Sequence, residues 1–288
     1  MRAVHVAGTA ETPFVAADHR DEAELVQAVT AAALQDAGLS REQVGFTCSG
    51  SSDYHMGRPF SFVTALDGIG PWPPIRESHV EMDGAFALYE AWVRLQHGDV
   101  DVALVYAFGK SSLGNTDAVG TMQLDPYTLA PLGVGPADLA GLQRQALLDS
   151  GLFQTLSAGR AAFGDGAAAT VLVAGEDAPG PRIEHIAHAT DSMDPGLRDL
   201  TDCRSARVAA SGARSVEAAF LHTPFHYQQA FLERVLGLSS STASEEDVPM
   251  VTGLANINRA ARSGKQALAH CTSGPCLQQN LVCVVVPA

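Results

Sequence analysis

Apolar and polar positions change their period several times along the chain, and each change predicts an element. Ala3 to Ala7 is a short apolar run and a first strand. Glu22 to Ala37 repeats apolar residues at helical spacing, with Leu25, Val29, Ala32 and Leu34 near one face and Gly38 as its stop. Val44 to Cys48 is a second strand. The stretch Cys48-Ser49-Gly50-Ser51-Ser52-Asp53-Tyr54 suits a loop with open backbone amides. Asp83 opens a helix from Gly84 to Gln96. Its Phe86, Leu88, Tyr89, Trp92, Val93 and Leu95 cover most of the surface, so burial on most sides is expected. Gly98 and Asp99 end it. Val100 to Phe108 is almost continuously apolar, the pattern of a strand covered on both faces.

The second half repeats the alternation. A helix is expected over Leu139 to Leu148, ended at Gly151, and a glycine-rich turn running into a strand over Gly164 to Val173. Glu176 to Pro181 has linker chemistry, being polar with two prolines. Further strands fall near Ile183 to Ala187, Val216 to Leu221 and Leu281 to Val286. Further helices fall near Ser205 to Ala210, Tyr227 to Leu236 and Val251 to Ala261, and Ser239 to Asp247 reads as a polar loop. Alternating strands and helices predict a layered α/β protein with mixed or parallel sheets. A division into 1–178 and 179–288 follows from the linker, although likeness between the two parts is too faint to establish a duplication.

Composition narrows the function classes. With 46% hydrophobic and 17% charged residues, the 288-residue chain is of ordinary globular type. Its 18 basic and 32 acidic residues leave a net charge of -14, which disfavours nucleic acid and anionic membrane surfaces. No apolar run reaches the roughly 18 residues of a membrane span, and no signal-peptide core is apparent, so a cytoplasmic protein is expected. The five cysteines, Cys48, Cys203, Cys271, Cys276 and Cys283, have neither disulfide-framework nor zinc spacing. Reduced thiols and no metal are expected.

Four segments in order carry a resemblance. They are His79-Val80-Glu81-Met82-Asp83-Gly84-Ala85-Phe86 with the following Gly98 to Val105; Gly164-Asp165-Gly166-Ala167-Ala168-Ala169; Leu221-His222-Thr223-Pro224-Phe225; and Ala269 to Leu281. Together they resemble the nucleophile helix, the SDGAAA turn, the HDCF-like motif and the C-terminal turn of the thiolase superfamily. The likeness is greatest to its sterol-carrier-protein or lipid-transfer type. The resemblance implies a layered α-β-α-β-α fold from two similar halves. This chain departs from the pattern at three places. Asp83 stands where thiolases carry the nucleophilic cysteine. The region around 111–163 is too short for the family's full loop domain, which holds coenzyme A. Nothing after Leu238 matches the NPSGG and GxP segments.

Candidate chemistry follows from these positions. Asp83 reads equally as a helix N-cap and as a polar group of a site. His222 closes an apolar strand at the end where α/β sheets expose functional groups, although a lone histidine there is often structural. Tyr54 offers a phenol as acid or base, against packing at a dimer interface, and the Gly274 amide could hold a developing enolate oxygen. Cys276 reads as a small buried hydrophobe. The resemblance implies retro-aldol chemistry on a coenzyme A thioester, without a covalently bound cofactor and with an OB-fold partner of the DUF35 type. It equally implies a non-catalytic subunit, as a homodimer or paired with a thiolase-like paralogue, or, from the family label alone, a lipid-binding protein.

Overall fold

The structure is a computed structural model that describes residues 1–57, 59–70 and 76–288. In chain order, β1 (Val4–Glu11), α1 (Glu22–Ala37), β2 (Phe46–Gly50), α2 (Asp53–Met56), α3 (Ser61–Ile69), β3 (Glu77–Val80), α4 (Gly84–His97) and β4 (Val102–Lys110) come first. Then follow α5 (Thr116–Met122), α6 (Pro136–Asp149), β5 (Ala162–Phe163), β6 (Asp165–Ala174) and β7 (Arg182–Thr190). The chain ends with α7 (Arg204–Ala209), β8 (Ala218–Leu221), α8 (Tyr227–Leu236), β9 (Thr242–Ala243), β10 (Glu246–Asp247), α9 (Thr252–Arg262), β11 (Ala267–Ser273) and β12 (Gln279–Val286).

Among the described residues ten strands share one sheet, in the order β3-β2-β4-β6-β1-β7-β12-β11-β8-β9. The order is palindromic in kind. β2 pairs in parallel with β3 and β4, as β8 does with β9 and β11. β6 is antiparallel to β4 and β1, as β12 is to β11 and β7. A single narrow pairing of β1 with β7, at His5 and Arg182, joins the two sets of five.

Side-chain alternation along the strands sorts the core into layers. On β4, Leu104, Tyr106 and Phe108 face α1 and α3, while Ala103, Val105 and Ala107 face α4 and α9. The second set packs its other face on α7 and α8 through Ala219, Leu221, Val282 and Val284. Helices thus cover both outer faces, and α4 and α9 fill the middle, giving α-β-α-β-α. Small residues make the middle layer possible: a Cβ on Gly84 would press on Ala107 and on Leu254.

Several predicted elements fall at their expected places. α1 and α8 have the predicted bounds, and α4 runs one residue further, to a left-handed Gly98. Other details differ. Ala33, not Ala32, carries the buried face of α1. The expected turn at Gly164 to Ala169 is mostly extended, because β6 begins at Asp165 and pairs along its length with β4. The polar loop before Asp247 includes the two-residue strands β9 and β10.

β11 places His270 in the interior, fully buried, with Nε2 2.8 Å from Asn280 Oδ1. Burial brings its pKa down from 6.5 to about 4. The folded value lies below the unfolded one, so unfolded chains bind the extra proton first as pH falls. Stability should therefore drop between pH 6.5 and about 4, by up to about 3 kcal/mol from this group. Denaturant titrations across that range should show the slope, and His270→Leu should flatten it.

Candidate active site

Two helices begin at one point, and Asp83 occupies it. As N-cap of α4, its Oδ1 accepts from the Ala85 amide at 2.8 Å. Oδ1 also accepts from the Leu254 amide at 3.1 Å, and Oδ2 from the Gly253 amide at 2.9 Å, both at the start of α9. The Gly84 amide in turn donates to Met250 O at 2.8 Å, tying the two helix starts together. Gly253 is required there, since a Cβ would collide with the Cys271 sulfur and with Asp83 itself. Asp83 is buried, with three backbone amides on its two oxygens. Burial pushes its carboxyl up, while His222 and the amides of Ala85 and Gly253 pull it back; the net direction is upward.

His222 follows β8 and is also buried. Its Nε2 lies 3.0 Å from Asp247 Oδ1 on β10, and Thr252 Oγ1 donates to the same oxygen at 3.1 Å. Burial alone would lower the imidazole, but the charge and hydrogen bond of Asp247, with Asp83 behind them, move its pKa above 6.5. Burial works the other way on Asp247, where His222 and Thr252 win and its pKa falls below 3.8. The Thr272 amide, 3.4 Å from Nδ1, favours Nε2 as the protonated nitrogen whenever the ring is neutral.

Cys271 lies beneath this pair, with Sγ 3.7 Å from His222 Nδ1. Thiol, imidazole and carboxylate stand in the order of an activated nucleophile. Yet the sulfur is fully buried, and burial and the neighbouring Asp83 raise its pKa well above 9.0. It is a neutral thiol. Asp83, His222 and Cys271 also bring three ligating atoms within 4.8 Å of one another. Asp83 and His222 Nδ1 already accept from backbone N–H groups, the Cys271 thiol stays protonated, and two helix N-termini direct positive potential at the same point. Such a set does not suit a cation.

A cavity of about 180 Å³ opens above these groups. Asp83, His222, Asp247, His55 and Gly274 line it, with Met250, Phe163 and Phe225 as apolar wall. Much of another wall comes from the segment between β4 and β6, including Thr116, Gln123, Leu124 and Arg160. Arg160 reaches Asp117 at 2.7 Å and lies over the Phe163 ring at 3.8 Å.

Three of the four residues singled out from sequence, Asp83, His222 and Gly274, therefore meet in one cavity. Tyr54 does not line it; it is 64% exposed on α2, and its neighbour His55 takes the cavity side. Cys276 is buried, as expected, with its thiol 3.5 Å from Leu139 O. Asp247, Cys271 and His55 are missed by the sequence reading. A histidine two residues after Asp53 and an aspartate ending a polar loop carry no local mark of a site.

All five cysteines are buried and free. Burial pushes Cys48 and Cys283 up to about 12 and Cys276 up to about 11. The native protein should accordingly react with a disulfide reagent at neutral pH far more slowly than the unfolded chain does, for every thiol. Rapid labelling of one thiol before unfolding would contradict the geometry around it.

No protein-family model matches the sequence, and no curated protein matches it. Solved structures do match in fold. Human mitochondrial 3-ketoacyl-CoA thiolase in complex with CoA superposes with a TM-score of 0.74 at 16% identity, over 100% of this chain and 98% of that one. The same human enzyme in a second structure gives 0.72 at 16% identity, over 100% and 99%. An Ltp2-ChsH2(DUF35) aldolase gives 0.72 at 15% identity, over 98% and 97%. At such identities the likeness is one of architecture, and together with the layer order and the converging helices it establishes that this chain has the thiolase-like fold.

Proposed function

We propose that this chain cleaves a carbon–carbon bond of a 3-hydroxyacyl-CoA by retro-aldol chemistry, in complex with an OB-fold partner of the DUF35 type. One observation carries the reading. A carboxyl group, not a sulfur, stands where the two central helices begin, and it shares its cavity with a histidine–aspartate pair. That equipment moves protons and does not form thioesters. In a retro-aldol step the β-hydroxyl loses its proton, its O–H electrons form the new carbonyl, and the Cα–Cβ pair enters the thioester as an enolate. The Gly274 amide, in a left-handed turn on the cavity wall, suits the enolate oxygen. Asp83, raised by burial, suits delivery of a proton to the enolate carbon. The proton lost from oxygen is matched by the one gained at carbon, so the reaction needs no added acid or base overall.

Cavity size bears on the substrate. About 180 Å³ is smaller than the roughly 300–1,000 Å³ of pockets for drug-sized ligands, which argues for a short acyl segment at the reacting centre. It argues against a lipid carried whole. Arg160 is the one lysine or arginine lining the cavity among the described residues, so most phosphate contacts of coenzyme A must come from elsewhere. A second chain supplies them in this reading, and the Ltp2-ChsH2(DUF35) neighbour supports a partner of that kind. Incubation with short 3-hydroxyacyl-CoA thioesters, with and without such a partner, should release an aldehyde or ketone. Absence of release under both conditions removes the proposal.

A second reading, a non-catalytic subunit, is favoured by the sheet edge. Among the described residues β3 pairs with β2 alone, and Phe60 and Val63 are exposed nearby on the chain. A chain that copurifies with a full-length thiolase-like paralogue and is inert by itself would fit that reading.

A further inference from the structure

We infer that His55 is a further proton-transfer residue of this cavity, the base that takes the β-hydroxyl proton of the bound 3-hydroxyacyl thioester. The inference rests on the retro-aldol reading and names a residue for the step left open there. His55 lines the same cavity as Asp83, His222 and Asp247. Its Nδ1 is buried and meets no hydrogen-bond partner among the described residues. A buried ring nitrogen without a partner is unusual, and a substrate hydroxyl would complete it.

The helix that carries His55 is held on several sides. Asp53 receives the Ser61 amide at 2.8 Å, the Ser61 hydroxyl at 2.6 Å and the Phe60 amide at 2.7 Å, which locks α2 to α3. The Asp53 amide donates to Glu81 Oε1 at 3.0 Å. On the far side Gly114 touches the His55 backbone so closely that a Cβ there would strike the His55 carbonyl oxygen. A four-residue helix clamped in this way buries Met56 in the core, sets His55 against the cavity and turns Tyr54 out to solvent.

Electrostatics suits a base. Burial lowers the His55 pKa, against the pull of Asp247 and Glu81, so the ring is neutral near pH 7. Among the described residues the other charges on the packed elements are engaged or exposed. Asp117 on α5 binds Arg160, Lys110 on β4 donates to the Asp18 and Arg20 carbonyls, and Asp67 on α3 is exposed. A small rotation of the ring opens Nδ1 to the cavity, and with its proton on Nε2 His55 then accepts the hydroxyl proton there. The O–H electron pair becomes the carbonyl π bond, the Cα–Cβ bond breaks, and its electrons form the enolate. Asp83 then protonates the enolate carbon, and the imidazolium passes its proton to solvent as Asp83 regains one.

The test compares wild type, His55→Gln and Tyr54→Phe in carbonyl release from a short 3-hydroxyacyl-CoA, with the DUF35-type partner present. His55→Gln should lower kcat by about 10²–10⁴-fold and remove the acid limb of the kcat/KM profile, while Tyr54→Phe keeps both. Added imidazole should restore part of the rate to His55→Ala, which also decides the matter if His55→Gln misfolds. A working wild type with His55→Gln within a few-fold of it and an unchanged acid limb overturns the role of His55 alone. No rescue of a folded, inactive His55→Ala does the same. A wild type that releases nothing overturns the retro-aldol reading itself.

Discussion

Asp83→Leu should destabilise the protein by about 3–5 kcal/mol, an effect larger than most single substitutions produce. Leucine keeps the branched shape, adds bulk at a tightly packed point and removes the acceptor. The amides of Ala85, Gly253 and Leu254 would then be buried without partners. Each such donor costs about 1–3 kcal/mol, and partial collapse of the two helix starts recovers some of the sum. Asp83→Asn keeps one oxygen but turns an NH₂ toward one of the amides, so a smaller loss of about 1–3 kcal/mol is expected. Urea titration of the three proteins is the measurement. If Asp83→Leu were as stable as the wild type, the convergence of α4 and α9 on this carboxylate would not be holding the middle layer together.

His222→Gln should reduce kcat/KM for the proposed substrate by about 10²–10⁴-fold, or about 3–5 kcal/mol of transition-state stabilisation. The pH dependence gives the sharper test. His222 has its pKa raised by Asp247, so the pair's contribution is complete below 6.5 and is lost as pH rises through the higher folded value. Asp247 is lowered, so its part is complete above 3.8 and is lost as pH falls through the folded value. Activity that depends on the pair should therefore fall on the alkaline side in the wild type, and that limb should vanish in His222→Gln. An unchanged alkaline limb in the variant would assign it to another group. Asp247→Asn should shift the same limb toward lower pH, because the charge that raises the imidazole is gone.

The two effects differ in kind, and that difference separates the residue's roles. Asp83 binds three backbone donors that belong to the fold, so its loss is read first in stability. His222 touches one carboxylate, one amide and one thiol at the cavity floor, and its loss is read first in chemistry.

Much of this protein was legible along the chain because the responsible forces act over a few residues. The bounds of α1 and α8, the helix opened by Asp83 and the buried strand β4 follow from apolar period, capping side chains and left-handed glycine stops. Asp83 and His222 stood out because they lie in segments that resemble thiolase motifs, and because one begins a helix and the other ends a strand. What joins them is not local. The Gly253 amide reaches Asp83 across 170 positions, and Asp247 reaches His222 across 25. The choice between Tyr54 and His55 was equally beyond the sequence. Four residues of helix are too short for a periodic pattern, so packing against Gly114 and the Asp53 clamp decided which ring faces the cavity. Sequence alone determined the longer periodic elements, such as α1, α4, α8 and β4, and the carboxylate at the head of α4; the tertiary structure decided what that carboxylate meets, because close packing of two distant helices sets its hydrogen bonds.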